Sequence, residues 1–415
     1  MTITSKDVPM LRLALRRTLL PLLLVLLFTA LPTCPVRARP TLATAFAPDL
    51  VAALDAALET GRTDARAPGA LLYIDLPEHG VYSAARGLAD VATGTPLTPQ
   101  SRVRIASVTK SFVAVVALQL VQEGWLLLDH SVGYWLPGLV PGGEAITVRQ
   151  LLSHTSGLPD YLTDGIIVRA RRDPAHHWTP QELVAEALRR PRLFAPGAPG
   201  RWAYSNTNYT LLGLIIEQVT KHPLELEVRQ RVIEPLGLRE TAQAPPNADL
   251  GAIAHGYVGG VDQTALNMSV AWAVGDLNAS VGDLARFTQG LMWGALLRPA
   301  TLNTMLTCTS TGGAWGVADL AYGLGIMRRT LPAANLPPAA RLALGHTGAL
   351  NGYRTAMWYF PDSGMTIVAA FTREEADPNR LVSSALQTLA TFNAFDKVSG
   401  ARVQGPGRAH QEAVR

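Results

Sequence analysis

The sequence predicts an α+β fold: an antiparallel sheet built from both ends of the chain, with a mainly helical region inserted between them. Three observations carry that expectation. Short apolar runs of strand length cluster at 69–87 and again at 322–371. Between them, 107–305 is dominated by three- and four-residue apolar spacing with Pro- and Gly-rich loops. The hydrophobic content is 48%, that of a chain with a core to fill, and roughly 370 residues remain once a leader is set aside.

The leader comes first. Lys6, Arg12, Arg16 and Arg17 precede the uncharged, leucine-rich run Thr18 to Thr33, the layout of an export signal. That run is too short and too early for a permanent membrane span. Val36-Arg37-Ala38 fits a small-residue cleavage site, while Leu31-Pro32-Thr33-Cys34 is an imperfect lipid-attachment site because Thr33 precedes the cysteine. Arg16-Arg17 followed by Thr18-Leu19-Leu20 also permits a twin-arginine route. The expected organisation is an export signal at 1–38, one domain at 39–395 and a disordered tail at 396–415. The protein is then secreted, periplasmic or cell-envelope associated, touching a membrane only through the signal or an anchor at Cys34.

Composition excludes several classes. Without Cys34 the only thiol is Cys308, so no intramolecular disulfide forms and stability rests on the core. The net charge of +4 owes much to the leader and to Arg402–Arg415, and basic patches interleaved with aromatics are absent, so no nucleic-acid partner is expected. Internal repeats, a phosphate-binding Gly-rich loop and HExxH spacing are also missing. His176-His177 stands alone in a polar loop, which reads as solvated and not as a metal site.

Ala47 to Glu59 reads as an amphipathic helix, and Gly69 to Ile74 with Val81 to Gly87 as a hairpin turned at Pro77-Glu78-His79-Gly80. Near the other end, Arg354 to Phe360 and Met365 to Phe371 are joined by Pro361-Asp362-Ser363-Gly364. Tyr322 to Arg329 and Arg341 to Leu344 add strand candidates, and Asn379 to Phe392 a closing helix. Thr179 to Arg189 and Tyr209 to Thr220 are helices of the insertion.

Ser107 to Leu128 organises the rest. Val113, Val116, Ala117, Leu120 and Val121 recur at helical steps, the pattern of a helix buried along one broad face, and Gly124 stops it. Ser107 and Lys110 stand one turn apart at its start, so a hydroxyl and an amine share a side. Of the 36 basic residues only Lys6, Lys110, Lys221 and Lys397 are lysines. Arginine cannot lose its proton near neutrality, whereas a lysine in an apolar site can act as a base. Ser107 and Lys110 are therefore a candidate nucleophile and base.

Two further motifs supply partners. Tyr204-Ser205-Asn206 precedes the helix at Tyr209, and alternation in an extended loop turns the Tyr204 phenol and the Asn206 carboxamide to one site. An ammonium nearby favours the phenolate, so Tyr204 is a candidate proton acceptor. Gly345-His346-Thr347-Gly348 ends a strand-like run, where main-chain N–H groups can approach an oxyanion.

Taken together, Ile105-Ala106-Ser107-Val108-Thr109-Lys110-Ser111-Phe112, Leu151-Leu152-Ser153-His154-Thr155-Ser156-Gly157-Leu158, Tyr204-Ser205-Asn206-Thr207-Asn208-Tyr209 and Gly345-His346-Thr347-Gly348 resemble the class C branch of the serine beta-lactamase and penicillin-binding protein superfamily. With Tyr322-Gly323-Leu324-Gly325 added, the chain is most similar to its secreted serine D-alanyl-D-alanine carboxypeptidases over roughly residues 45–395. The resemblance implies that Ser107 is acylated, that Lys110 assists its deprotonation and that Tyr204 relays protons. It implies that Asn206 binds the substrate amide, that the N–H groups of Ser107 and Ala349 form the oxyanion hole, and that His346, Thr347 and Gly348 line the leaving-group side. It implies neither a metal nor an organic cofactor. His154 reads as a structural turn residue.

The sequence also departs from that pattern. An arginine follows the Y-G-L-G-apolar segment in the carboxypeptidases and a threonine follows H-T-G, and both help bind the substrate's terminal carboxylate. Met327 and Ala349 stand there, and the adjacent Arg328 points to the opposite face of a strand. A protonated His346 offers a partial substitute, which would make peptide turnover improve as pH falls through the histidine range. The expected function is that of an exported serine hydrolase working through an acyl-enzyme, a D-alanyl-D-alanine carboxypeptidase-like peptidase and esterase, with a class C-like beta-lactamase or a non-catalytic penicillin-binding module as the alternatives. Its partner is a small peptide, ester or beta-lactam.

Overall fold

Helix α1 (Pro48–Asp64) opens the fold, with Pro48 and Asp49 in its first turn and Leu50, Leu54 and Leu58 buried at four-residue steps. This computed structural model describes residues 45–244, 253–332 and 336–396. The expected export signal with Cys34, and all of the expected tail except Asp396, lie outside the described residues.

Strands β1 (Gly69–Leu76) and β2 (Gly80–Asp90) form the expected hairpin, followed by β3 (Thr95–Pro96). The insertion then supplies α2 (Thr109–Gln122), α3 (Asn206–Thr220) and α4 (Val281–Met292). The chain returns as β4 (Thr309–Ser310), β5 (Ala321–Tyr322), β6 (Met327–Thr330), β7 (Leu342–Leu350), β8 (Tyr353–Phe360) and β9 (Met365–Phe371). Helix α5 (Pro378–Thr391) closes it.

These nine strands make one sheet in the order β3-β2-β1-β9-β8-β7-β6-β5-β4. Its seam is the antiparallel pairing of β1 with β9, from Ala70 opposite Phe371 to Asp75 opposite Thr366. The two chain ends thus share one ladder, and the insertion is a long excursion between them. Because side chains alternate across a strand, each central strand feeds two cores. Leu72, Ile74, Ile367 and Ala369 pack with Leu54 and Leu58 of α1 and Leu386 and Leu389 of α5. Leu71, Val368 and Ala370 face the insertion, where Phe112 of α2 stacks on Phe287 of α4 with ring centroids 3.8 Å apart.

Four local expectations change. Helix α2 is buried from Thr109 to Leu118 and again at Leu120, so it has no single buried face and runs through the middle of the insertion. Tyr322–Arg329 is not one strand but a tight hairpin pairing Tyr322 with Met327, because the chain reverses through Gly323 and through Gly325 at φ +83°. The Gly345-His346-Thr347-Gly348 segment does not end its strand, since β7 runs through it to Leu350 and pairs with β8. Helix α3 starts at Asn206, three residues before the apolar pattern does.

Candidate active site

The chain enters the site from the short strand Val103–Arg104, which pairs with Leu277–Ala279. Ala106 adopts φ +49°, a left-handed conformation that costs a non-glycine residue about 1–3 kcal/mol. The following 3-10 turn, Ala106–Val108, presents Ser107 partly exposed directly before α2. Strand β7 lies against this turn: a Cβ on Gly348 would stand 2.1 Å from the Ile105 carbonyl oxygen and 3.2 Å from Ala106 Cβ. Gly348→Ala is therefore expected to push β7 off the nucleophile turn and to cut acylation by about 10²-fold, the scale of a one-ångström misplacement. Stopped-flow acylation with an activated ester checks this, and a native rate would show that the strand does not position the site.

Lys110 is fully buried. Its Nζ lies 2.7 Å from Asn206 Oδ1, 2.9 Å from the Val274 carbonyl oxygen and 3.0 Å from Ser107 Oγ. The first two partners can only accept, so a neutral amine spends its two hydrogens on them and turns its lone pair to the serine hydroxyl. Burial pulls Lys110 down to about 7, with the charge of Asp160 offsetting part of that fall. Geometry and charge state both suit a base for Ser107.

Tyr204 lies just before the Ser205 N-cap of α3, and Lys110 Nζ is 5.1 Å from its ring centroid. The ring is partly exposed, but its hydroxyl is buried without a well-formed hydrogen bond. Burial pushes the phenol far above its usual range, and the neighbouring Ser107 pulls it only part of the way back. This corrects the expectation of a favoured phenolate: the lysine's field does not offset burial, and Tyr204 rests as a neutral phenol. In that state it can hand on a proton but does not begin as the base.

His154 holds the tyrosine loop from far along the chain. Its Nδ1 accepts from the Ser205 N–H at 3.2 Å and faces Asn208 Nδ2 at 3.0 Å, and its ring lies 4.2 Å from that of Tyr204. The histidine is structural, as expected, but its partners are long-range and not local. His346 is fully buried as well. Its Nδ1–H donates to the Thr347 carbonyl at 2.7 Å, so Nε2 accepts from the Tyr322 hydroxyl at 2.9 Å. Burial, reinforced by Lys110, holds it down to about 3. The expectation of a protonated His346 binding a carboxylate fails, because the ring is desolvated and its second nitrogen already serves Tyr322.

The ladder between β6 and β7 ends at Met327 opposite Gly345, and the continuing segment brings Ala349 to the rim. Ser107, Asn206 and Ala349 line one recess with Ala106, Leu162, Val274 and Leu350. The nucleophile, the carboxamide and the strand whose N–H was assigned to the oxyanion hole thus share a cavity. Thr347 Oγ1 lies 3.8 Å from Met327 Sδ, so a thioether stands beside the threonine, where the resembling enzymes keep an arginine. Arg328 is exposed and sits one register position on, opposite Leu344, with its side chain on the other face.

The sequence assigned no role to three contributors, of which only Tyr322 stood in a quoted motif. The Val274 carbonyl and Tyr322 act through contacts that only the fold creates. Asp160 accepts from both nitrogens of Asn206. It lies two residues past the Leu151–Leu158 motif, yet nothing in the spacing ties it to residue 206.

A both-ends sheet, a mainly helical insertion and a serine–lysine pair opposite a sheet strand define the class of beta-lactamase-fold serine hydrolases. The chain belongs to the Beta-lactamase family, whose profile matches residues 54–391. It is similar to Esterase EstB of Burkholderia gladioli, at 36% identity over 212 residues, 48% of this chain and 53% of the esterase. It is also similar to a D-aminopeptidase of Brucella anthropi, at 29% identity across 78% of this chain and 60% of that protein. The chain thus spans between about half and two thirds of the length of these curated relatives. Among solved structures, a D-stereospecific amidohydrolase from Streptomyces sp. superposes with a TM-score of 0.69 at 32% identity, covering 80% of this chain and 98% of that one.

Proposed function

We propose that the protein is an exported serine hydrolase that forms an acyl-enzyme on Ser107 and acts on D-alanyl peptides or related amides and esters. The observation that carries this reading is the placement of Lys110 Nζ: two obligate acceptors take two hydrogens, so that in the neutral amine the lone pair is left for the serine 3.0 Å away. Deprotonated Ser107 Oγ attacks the substrate carbonyl, and the main-chain N–H groups of Ser107 and Ala349 receive the oxyanion. Tyr204 passes the proton to the leaving group, then assists the water that releases the acyl group. Relatives named as an esterase, a D-aminopeptidase and a D-stereospecific amidohydrolase fit that chemistry. Intact mass after incubation with an activated ester or a beta-lactam tests it: a serine adduct is expected, and no adduct with either probe would overturn the scheme.

Met327 and the buried, neutral His346 favour substrates without a free C-terminal carboxylate. A charge-assisted contact there is worth about 1.5–3 kcal/mol, so its absence removes roughly a 10- to 150-fold advantage for peptide acids. The expected result is comparable kcat/KM for a D-alanyl peptide acid and its amide, no gain for the acid at low pH, and clear ester turnover. A strong preference for the acid would mean that an arginine reaches the recess after all.

A further inference from the structure

Asp160 follows Gly157-Leu158-Pro159 in the loop after the short helix Val148–Leu152, and its carboxylate is directed at Asn206. Oδ1 accepts the Asn206 N–H at 3.1 Å and the Leu162 N–H at 3.0 Å, and Oδ2 accepts Asn206 Nδ2 at 2.8 Å. The other end of that carboxamide, Oδ1, is the atom 2.7 Å from Lys110 Nζ. A carboxamide can turn over and exchange its oxygen for its amino group at little cost in shape. Burial raises the Asp160 carboxyl, while its three N–H donors and Lys110 favour the carboxylate, and a carboxylate only accepts, so the amino group faces Asp160 and the oxygen faces the lysine.

The loop that carries Asp160 is itself tied to the start of α3. The Pro159 carbonyl accepts from Ser205 Oγ at 3.1 Å and Thr207 Oγ1 at 2.7 Å, and the Tyr161 N–H donates back to Thr207 Oγ1 at 3.1 Å. The residues on either side of Asp160 are thus clamped to those on either side of Asn206.

We propose that Asp160 is a positioning residue for acylation, fixing the Asn206 carboxamide so that its oxygen, and not its amino group, meets Lys110. This rests on Lys110 being the base of Ser107. An oxygen at that place accepts from either protonation state of the lysine and keeps the lone pair of the neutral amine aimed at the serine. An amino group there would oppose the amine's hydrogens and turn the lone pair away from Ser107 Oγ.

The charge of Asp160 has a second, separable effect, since it supports the ammonium form of Lys110 against burial. The other titratable groups around Lys110 are Tyr204 and Tyr209, with rings 5.1 and 5.8 Å from Nζ, and the histidines 154 and 346, which burial keeps neutral. Around Asp160 stand Tyr161 and Tyr204, and Arg190 donates to its main-chain oxygen.

The test is Asp160→Asn in the full chain, with acylation by an activated ester followed across pH. Asparagine sets an amino group against one of the three donors, so Asn206 turns over and the rate is expected to fall by about 10²-fold. The acid limb of the profile is expected to move to lower pH, because the ammonium form of Lys110 has lost its support. The limb reads the charge of Asp160 and the plateau rate reads the orientation of Asn206, so a native plateau overturns the proposal wherever the limb lies, and so does a fallen plateau that the exchange of the two side chains does not recover. The exchange D160N/N206D restores a donor facing an acceptor and puts a carboxylate next to Lys110, so its acid limb is expected above that of the native enzyme. Should the single variant not fold, the exchange carries the test, and a plateau rate there about 10²-fold below the native one overturns the proposal. Ser107→Ala in parallel separates the two levels. An adduct that persists in that variant overturns the serine reading, whereas its loss beside a native-like Asp160→Asn overturns only the role of Asp160.

Discussion

Ser107→Ala is expected to abolish acylation while leaving the fold intact. The hydroxyl is the only group lost, and the side chain sits partly exposed in a 3-10 turn, so no core contact depends on it. Removing the nucleophile of a serine enzyme costs on the order of 10⁶-fold in turnover, the residue reflecting binding and the oxyanion site alone. Lys110 keeps two of its three partners in this variant, Asn206 Oδ1 and the Val274 carbonyl, so its position is unchanged. The measurement is intact mass with an activated ester, beside a circular-dichroism melt. An adduct of normal rate on another residue would remove Ser107 from the mechanism.

Lys110→Arg is expected to be nearly as damaging as Lys110→Ala. Arginine keeps the positive charge but cannot surrender its proton, so an electrostatic role would survive the change and a base would not. Losing a general base costs about 10²–10⁴-fold, and that fall is expected in the acylation rate. The pH profile gives the sign. The native lysine must be neutral to accept the serine proton, and burial pulls it down to about 7, so acylation rises as pH increases through neutrality and then levels. The arginine variant stays charged throughout, so its profile should lack that rise. A variant that kept both rate and rise would leave Lys110 as a fixed charge only.

The architecture was legible because it follows from periodicity. Short apolar runs of strand length at both chain ends have to pair with something, and the helical stretch between them left each other as the partners, which the β1–β9 ladder shows. The helix at Ser107 was legible for the same reason, together with the one-turn spacing of serine and lysine. What periodicity overstated was its amphipathicity: a helix wrapped by packing partners on every side still shows apolar steps of three and four, and only its neighbours reveal that no face is free.

The amino-acid sequence by itself determined the chemistry available here: a serine, a lysine, a tyrosine and an asparagine in recognisable motifs. The tertiary structure decided the state in which each of them works. Whether Lys110 is a base, Tyr204 a phenol and His346 neutral depends on desolvation, which is a property of the atoms packed around a group and not of its neighbours in the chain. The orientation of Asn206 is of the same kind, since it is set by a carboxylate 46 positions away. Electrostatics and hydrogen-bond direction act through space over a few ångströms, so they became readable only once the fold had brought distant segments together.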